Sequence, residues 1–423
     1  MTSFDSSPTL NAWRALLALA VVFVMLATTG WTAVRSHPGK TALQTSLSAW
    51  EHGHVNGREL PDPDASPTRL ARFFASLTAQ QRTRLAHRYP LAVGNMNGAP
   101  VQLRYRANHI ALDRARKVER KRMHDSRLTP YGKQEAGRLM HRFEALMSGD
   151  RHILAFDPEG SGRIAEVFGD LDTAQRVSVI VPGVDTDLLT FQKTNKSYSA
   201  PVGMAQNLYA AENTAKSATD TGTRTAVIAW ADYTAPGGLG IDSATAGRAE
   251  AGAVRLNALV RALPGASQVA LFCHSYGSVV CGVAAHELPP RVTDIAVAGS
   301  PGMRASNAAH LRTLARVWAM RDANDWIQDV PYMEVGGLGH GEDPVSRAFG
   351  ARVLAAKDAQ GHTGYFAAGT DSLANFADIG VGAYDAVWCA PDHHNCRLGV
   401  YGAPGARRAS NQHVLGSGRG AVR

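Results

Sequence analysis

Several features that would indicate a fibrous or low-complexity protein are missing from this 423-residue sequence. Aromatic residues make up only 7% and charged residues only 19% of the chain. Glycine and proline number 41 and 20, or 61 of 423 residues (about 14%), which is far below the content of collagen or low-complexity chains. They are also scattered, so no long heptad repeat survives and a coiled coil is excluded. The length suits two or three average domains, or one α/β domain with extensions.

The positive charge of the chain is concentrated in one segment. The net charge is +8, and residues 104–127 carry nine Arg or Lys against three acidic residues, a surplus of six. No recognisable nucleic-acid-binding module accompanies this segment, so nucleic-acid binding is not predicted. We interpret the segment as a basic amphipathic helix with a solvated charged face. Contact with anionic lipid is the alternative.

A stretch of 20 uncharged residues, 15–34, lies near the amino terminus, with Trp13 and Trp31 at its two ends. At about 1.5 Å per residue it matches the hydrocarbon core of a bilayer. It is either a signal anchor or a cleaved signal peptide, and we favour the anchor because no A-x-A cleavage site follows. The protein is therefore predicted to be membrane-anchored and facing the extracellular side, or secreted.

The four cysteines include a closely spaced pair near the carboxyl terminus. Cys389 and Cys396 close the short loop CAPDHHNC, which in an exported protein indicates a disulfide. The alternative is a metal site that adds His393 and His394 to the two thiols. That spacing fits no standard zinc motif, so we predict the disulfide.

The pattern of polar and apolar residues along the sequence divides the chain into segments. Residues 35–66 are predicted to form a flexible tether, and residues 67–149 a helical preface in which Thr78 and Gln81 form a capping box. Strands and helices then alternate over 150–396, and the Gly-, Arg- and Ser-rich residues 397–423 are predicted to be disordered. The strand segments are continuous apolar runs, as in parallel strands buried on both faces, which predicts a doubly wound, mostly parallel α/β sheet. These strand segments are 152–158, 162–170, 176–183, 225–233, 268–274, 293–300 and 315–321, with helices at about 205–219 and 242–263.

The motif with the clearest chemistry follows the strand QVALF. The chain continues into Cys273-His274-Ser275-Tyr276-Gly277 and then the small-residue helix SVVCGVAAHEL. This is the nucleophile elbow G-x-S-x-G with Cys in place of the first Gly. Small residues two places either side of the serine let strand and helix approach, and Cys is small enough to keep the turn. We predict that Ser275 is a nucleophile rather than part of a plain turn.

A nucleophilic serine needs a histidine base and an acid that orients the histidine. In chains with this elbow the order is serine, acid, histidine. Asp325, in the loop after the strand 315–321, is the predicted acid, and Asp322 is the alternative, although it is close enough to the strand to cap the turn. His362 precedes the final helix SLANFADIG and is the predicted base.

Two other histidines are given different roles. His340 comes earlier than expected for the base, so we predict that it shapes the rim of the site. His274 is adjacent to Ser275 in sequence, so its side chain points elsewhere and is predicted to be structural.

An acyl-transfer site also needs two N–H donors for the oxyanion. One is predicted from the backbone of Tyr276, after the nucleophile. The other is predicted from the loop after the third strand, where Pro182 has no N–H, leaving Val184 or Gly183; we favour Val184. The alternative is that this loop is merely a turn at the end of the sheet.

These motifs resemble the actinobacterial α/β-hydrolase family of the DUF1023 type, a domain of unknown function. The resemblance covers roughly residues 70–385 and is carried by LTAQQRTRLAHRYPLAVGNMNGAP, VIVPGVDT, CHSYGS, AGSPG, LGHGEDPVSRAFGARV and GHTGYF. It implies a triad like that of serine esterases and lipases, formed here by Ser275, Asp325 and His362. Cys273 departs from the family, which usually has Gly there. The resemblance implies no substrate.

Together these observations predict a serine hydrolase that acts on carboxylic acyl esters and needs no metal or organic cofactor. A small-molecule or lipid acyl ester is the predicted substrate, and a lipid or cell-envelope ester fits a protein tethered to a membrane through residues 15–34. One alternative is an acyltransferase with the same triad. Another is a non-catalytic envelope-binding protein on a hydrolase scaffold.

Overall fold

A central eight-stranded sheet organises the protein. The computed structural model describes residues 40–219 and 222–400. Every residue of the third and fourth strands of this sheet is buried, as the continuous apolar runs predict. The strands are β1 His152–Asp157, β2 Arg163–Gly169, β3 Arg176–Val181, β4 Thr225–Ala231, β5 Gln268–His274, β6 Val292–Ala298, β7 Arg316–Met320 and β8 Arg352–Val353.

The strand order across the sheet is β1-β2-β4-β3-β5-β6-β7-β8. Only β2 is antiparallel to its neighbours β1 and β4, and all other neighbouring strands are parallel. This confirms the predicted mostly parallel, doubly wound α/β architecture. Because β3 to β8 run in the same direction, the loops that follow them meet at one edge of the sheet, here called the carboxyl edge.

Helices precede the sheet and cover it. One difference from the sequence prediction is that the long helix expected over 242–263 is interrupted after Ala244, where the Thr245 carbonyl accepts a hydrogen bond from the Tyr276 hydroxyl at 2.7 Å. The helices are α1 Ala42–Glu51, α2 Pro67–Ala75, α3 Ala79–Arg88, α4 Pro90–Asn95, α5 Val101–Met123, α6 Pro130–Met147, α7 Pro201–Thr219, α8 Ile241–Ala244, α9 Gly247–Ala262, α10 Gly277–Ala284 and α11 Asp371–Val381.

Part of the predicted flexible tether is folded. Residues 42–59 form α1 and a short hairpin in which His54–Val55 pairs with Arg58–Glu59. Trp50, at the end of α1, is fully buried, and its indole N–H donates to the Pro61 carbonyl at 2.7 Å. The prediction of a tether was wrong for these residues because α1 buries Leu43 and Trp50 and packs Leu47 against the apolar cluster that contains Trp50.

The helical preface contains the predicted capping box. The Thr78 hydroxyl accepts from the Gln81 N–H at 3.2 Å, and the Gln81 side chain accepts from the Thr78 N–H at 2.7 Å, which starts α3. The predicted boundary near residue 150 does not separate two cores. Helices α5 and α6 place four apolar side chains in the same cluster as strand β1: Ala111, Leu112, Phe143 and Leu146.

Three of the predictions concern the two ends of the chain. The apolar segment 15–34 and residues 401–423 of the predicted disordered tail lie outside the described residues. Residues 397–400 of that tail are ordered: the Arg397 side chain donates to the Asp385 carbonyl at 2.9 Å, and Val400 is buried. Within residues 40–219 and 222–400, none of the helices has the length and hydrophobicity needed to span a bilayer. The predicted disulfide between Cys389 and Cys396 is present, with an S–S distance of 2.02 Å.

Candidate active site

The turn from β5 into α10 has the geometry of a nucleophile elbow. Ser275 has a positive φ of 54°, a conformation that is strained for a residue with a Cβ and that recurs at functional sites. The Ser275 N–H donates to the Ala298 carbonyl at 3.0 Å, which ties the turn to β6. Gly277 has to be a glycine because a Cβ there would lie 2.1 Å from the Val181 carbonyl oxygen.

The elbow also carries a disulfide that we did not predict. Cys273, the last residue but one of β5, is bonded to Cys281 in α10, with an S–S distance of 2.01 Å. We had treated Cys273 only as a small replacement for glycine. Counting cysteines would have found the bond: once Cys389 and Cys396 are paired in an exported protein, the other two are partners by elimination.

The structure brings Ser275, His362 and Asp325 together in one hydrogen-bonded chain. His362 Nε2 lies 2.8 Å from Ser275 Oγ, and His362 Nδ1 lies 2.8 Å from Asp325 Oδ1. The three residues come from the elbow, from the 3₁₀ helix Gly361–Phe366, and from the loop before the 3₁₀ helix Trp326–Asp329. All three lie at the carboxyl edge of the sheet.

The carboxylate of Asp325 is fully buried and held by three donors. Tyr365 Oη donates to Oδ2 at 2.6 Å, and the Ile327 N–H donates to Oδ1 at 2.9 Å, in addition to His362. Burial by itself raises the pKa of Asp325, but the hydrogen bonds and the charge of His362 outweigh it, so the pKa is lowered. Asp325 is therefore ionised, and it fixes the proton of His362 on Nδ1, which leaves Nε2 free to accept the serine proton.

Asp322, the alternative acid, has another role. Its Oδ2 accepts from the N–H groups of Asn324 and Gly361, each at 3.0 Å, and its own N–H donates to the Tyr365 hydroxyl at 3.0 Å. It thus joins the loop that carries Asp325 to the loop that carries His362. Tyr365, which sequence reasoning did not single out, takes part in both sets of hydrogen bonds.

His274 is buried, and its Nε2 lies 2.6 Å from the carbonyl oxygen of His362. A carbonyl only accepts, so this nitrogen carries a proton and donates. Burial, together with the neighbouring His362, lowers the pKa of His274 to about 3, so the ring is neutral near pH 7. This agrees with the structural role predicted for it: it holds the backbone of His362.

His340 is buried, and the rim position expected for it stays a prediction. Its Nε2 lies 2.7 Å from the Ser243 carbonyl oxygen, and its ring meets the edge of the Tyr276 ring at a centroid distance of 5.6 Å. It joins the loop after β7 to the loop after β4.

The two N–H groups predicted for the oxyanion belong to Val184 and Tyr276. Neither donates a hydrogen bond to another group within residues 40–219 and 222–400. The loop that carries Val184 runs beside the serine, because a Cβ at Gly183 would lie 2.6 Å from Ser275 Cβ and 3.0 Å from its Oγ. Two unoccupied donors beside the serine hydroxyl are what an oxyanion would need, and their assignment stays a prediction.

Part of the chain matches a known family. Residues 157–335 match the family model described as alpha/beta hydrolase. The matched segment contains Ser275 and Asp325 and ends before His362. With the strand order, this match identifies the α/β-hydrolase fold.

Two curated relatives, the uncharacterized proteins Rv2079 and MT2140 of Mycobacterium tuberculosis strains H37Rv and CDC 1551, are each 28% identical over 387 residues. The alignment covers 78% of this chain, which spans only 58% of their length. Among solved structures, a predicted CIB-like hydrolase from Thermoplasma acidophilum is 15% identical, with 55% of this chain and 95% of that chain covered and a TM-score of 0.35. The α/β serine hydrolase XC6422 from Xanthomonas campestris, described as lacking a lid, is 15% identical over 42% of this chain and 73% of that chain, with a TM-score of 0.25.

Proposed function

We propose that this protein is a serine hydrolase of carboxylic acyl esters that acts through an acyl-enzyme. The observation that carries the proposal is the unbroken chain of hydrogen bonds from Asp325 through His362 to Ser275, with the serine in a strained turn at the carboxyl edge of the sheet. The proposal includes membership of the DUF1023 type. It also places the protein outside the cell, either anchored through residues 15–34 or secreted.

The proposed reaction has two steps. Ser275 Oγ attacks the acyl carbonyl carbon while His362 Nε2 takes the hydroxyl proton, and His362 then gives this proton to the departing alcohol oxygen. In the second step His362 takes a proton from water, the resulting hydroxide attacks the acyl-enzyme, and the proton returns to Ser275 as the acid leaves. Asp325 stabilises the imidazolium in both steps, and the N–H groups of Tyr276 and Val184 hold the oxyanion.

A fluorophosphonate probe tests the nucleophile directly. We expect covalent labelling of the wild-type protein and none of Ser275→Ala, with hydrolysis of p-nitrophenyl esters falling by at least about a thousandfold. Ser306→Ala is a matched control, because Ser306 Oγ lies 2.5 Å from His310 Nδ1 at an exposed site. Labelling that persists in Ser275→Ala would reject the assignment.

The surroundings of the site favour an ester with a lipid character. Six large apolar side chains, here called the apolar rim, are between 42% and 77% exposed on the loops that follow β4 and β7. These loops touch through His340 and Ser243, and the Trp326 ring lies 4.7 Å from the His362 ring between centroids. Exposed apolar side chains concentrated at one site indicate an apolar partner. The apolar rim consists of Leu239, Ile241, Trp326, Met333, Val335 and Leu338.

Substitution in the apolar rim separates a lipid substrate from a soluble one. We expect Leu239→Asn with Val335→Asn to lower kcat/KM at least about tenfold for long-chain esters in micelles and to leave short soluble esters unchanged, since an apolar side chain contributes up to about 1.5–3 kcal/mol when the substrate buries it fully. The control is Leu314→Asn, which is 86% exposed just before β7, away from the carboxyl edge. An equal loss on both classes of ester would contradict the lipid substrate.

Product analysis distinguishes hydrolysis from acyl transfer. With a competing alcohol present, a hydrolase yields mainly the free acid, whereas an acyltransferase yields mainly the new ester.

A further inference from the structure

A cavity of about 510 Å³ lies between the helical preface and the sheet. It is formed by α2, by the turn that leads into α5, and by the end of α9 with the residues that follow it. Its volume is in the range of pockets that bind small molecules. The hydrolase mechanism does not use it.

The cavity is far from the proposed catalytic serine. It reaches Leu263 and Pro264, which come just before β5 begins, whereas Ser275 follows the end of β5. Seven strand residues at about 3.3 Å each separate the two by roughly 20 Å. The cavity is therefore not the acyl pocket of the hydrolase site.

The cavity contains a buried guanidinium group that has no acidic partner. Arg104 is 5% exposed and donates to the Gly94 carbonyl at 3.2 Å and to Asn97 Oδ1 at 3.5 Å. Among the described residues no carboxylate lies within 4.0 Å of it. Asp232, whose negative charge raises the pKa of Arg104, is paired with Arg255 at 2.5 Å. Burial lowers the pKa of Arg104 to about 10, so it is still charged near pH 7.

A buried charge of this kind is costly unless an opposite charge accompanies it. The rest of the cavity is also arranged for an anion. Arg82 and Arg261 line it as well, so that the lining contains three arginines and one carboxylate, that of Asp172. The guanidinium groups of Arg82 and Arg261 also donate to the carbonyls of Phe74 at 3.0 Å and Glu287 at 2.5 Å.

The positive end of a long helix adds to this charge. Helix α5 has 23 residues and starts at Val101 in the cavity wall. Its N-cap residue, Pro100, has no side-chain acceptor, and its first turn contains no acidic residue. The N–H groups of Val101 and Gln102 donate to no group in the described part of the chain. Free N–H groups at a helix start bind carboxylates and phosphates.

The cavity lining also includes an apolar part. It contains the side chains of Ala71, Ala75, Leu154, Leu171, Leu259 and Leu263. A ligand that fills the cavity therefore needs an apolar part as well as an anionic group.

We propose that this cavity is a binding site for an amphiphilic organic anion, with a carboxylate or phosphate on Arg104 and the start of α5 and an apolar chain against the leucines. Such a ligand touches both the helical preface and the hydrolase sheet. Because it binds only the folded chain, it stabilises the contact between them.

Calorimetric titration of the full chain tests the site. All proteins carry Ser275→Ala, so that the proposed hydrolase site does no chemistry on the ligands. We expect octanoate or octyl phosphate to bind with one-to-one stoichiometry and a Kd below about 1 mM, and to raise the Tm. The two anions distinguish a fatty-acid-like ligand from a phosphorylated one. Octanol and inorganic phosphate, which each lack one half of the ligand, are expected to bind at least about tenfold more weakly, a difference of about 1.4 kcal/mol.

Variants locate the binding. Arg104→Met is expected to weaken binding of the anion at least about tenfold, whereas Arg138→Met, the same change of charge at an exposed position on α6, leaves it unchanged. Ala75→Trp adds a large side chain to the cavity lining and leaves Arg104 in place. It is expected to abolish binding, so it decides the question if Arg104→Met fails to fold. The proposal is overturned if neither anion saturates the protein below about 1 mM, or if both bind Ala75→Trp as well as the protein without it.

Discussion

At the scale of single residues, two glycines determine how closely the backbone approaches the reacting side chains. Gly183 brings the loop after β3 against Ser275. Gly299, which follows β6 with a φ of 55°, leaves room for the other two members of the triad: a Cβ there would lie 2.8 Å from Asp325 Oδ2 and 3.2 Å from His362 Cε1. Neither glycine has a reactive side chain, yet both define the space around the proposed triad.

Gly299→Ala is therefore expected to damage activity more than stability. The new methyl group pushes Asp325 and His362 apart, and a displacement of about 1 Å in such a site costs on the order of a hundredfold in rate. Gly265→Ala is the control, since Gly265 has a similar φ of 59° and a Cβ there meets nothing within 4 Å. The measurements are kcat/KM and Tm, and a Gly299→Ala protein with wild-type kcat/KM would show that the triad tolerates the displacement.

At the scale of elements, the sequence was most informative where chemistry and burial coincide. Strand β5 was predicted with the bounds it has, because a parallel strand buried on both faces is a continuous apolar run and the elbow fixes its end. Helix α1 was missed because it is short and its apolar residues Leu43, Leu47 and Trp50 lie in a segment otherwise rich in polar residues, glycine and proline. Tyr365 was missed because no sequence pattern predicts a hydrogen bond from a tyrosine hydroxyl to the Asp325 carboxylate 40 residues earlier.

The disulfide between β5 and α10 joins the two elements that hold Ser275 between them. Both sulfur-bearing residues are buried, with Cys273 1% and Cys281 0% exposed. A cross-link of this kind limits how far the helix can move from the strand. We infer that it helps to keep Ser275 in its strained conformation.

The second disulfide provides a matched control for this inference. The cysteines are 8 residues apart in the elbow and 7 apart in the Cys389–Cys396 loop. The loss of either bond therefore increases the entropy of the unfolded chain by a similar amount, which corresponds to about 2–3 kcal/mol of stability. Cys273→Ala with Cys281→Ala, and Cys389→Ala with Cys396→Ala, are thus expected to lower the free energy of unfolding by similar amounts.

Only the elbow variant is expected to lose activity, by about tenfold or more in kcat/KM, because only its bond adjoins Ser275, the proposed nucleophile. Denaturant unfolding and ester hydrolysis measure the two effects on the same samples. Equal activity in the two variants would assign the elbow disulfide to stability alone.

At the scale of the whole molecule, the helical preface completes the hydrolase sheet. Strand β1 is an edge strand, and two asparagines of the preface hydrogen-bond to its backbone as a neighbouring strand would. Asn95 accepts from the Phe156 N–H at 3.0 Å and donates to its carbonyl at 2.7 Å, and Asn108 donates to the Ile153 carbonyl at 2.9 Å. An edge covered in this way is protected from pairing with other chains.

Asn95→Ala is consequently expected to destabilise the molecule as a whole. It leaves two backbone groups of Phe156 without partners, at a cost of about 1–3 kcal/mol for each buried group, and it weakens the cover of the edge strand. Thermal unfolding with light scattering is the measurement: we expect a lower Tm and earlier aggregation, whereas Asn213→Ala, at a partly exposed position on α7, changes neither. If the preface were a separate domain tethered to the hydrolase, Asn95→Ala would lower the stability of the preface alone. Ester hydrolysis would then be lost at the same temperature as in the wild-type protein. Because the preface shares its apolar cluster with β1, we expect hydrolysis and helical structure to be lost together at the lower temperature.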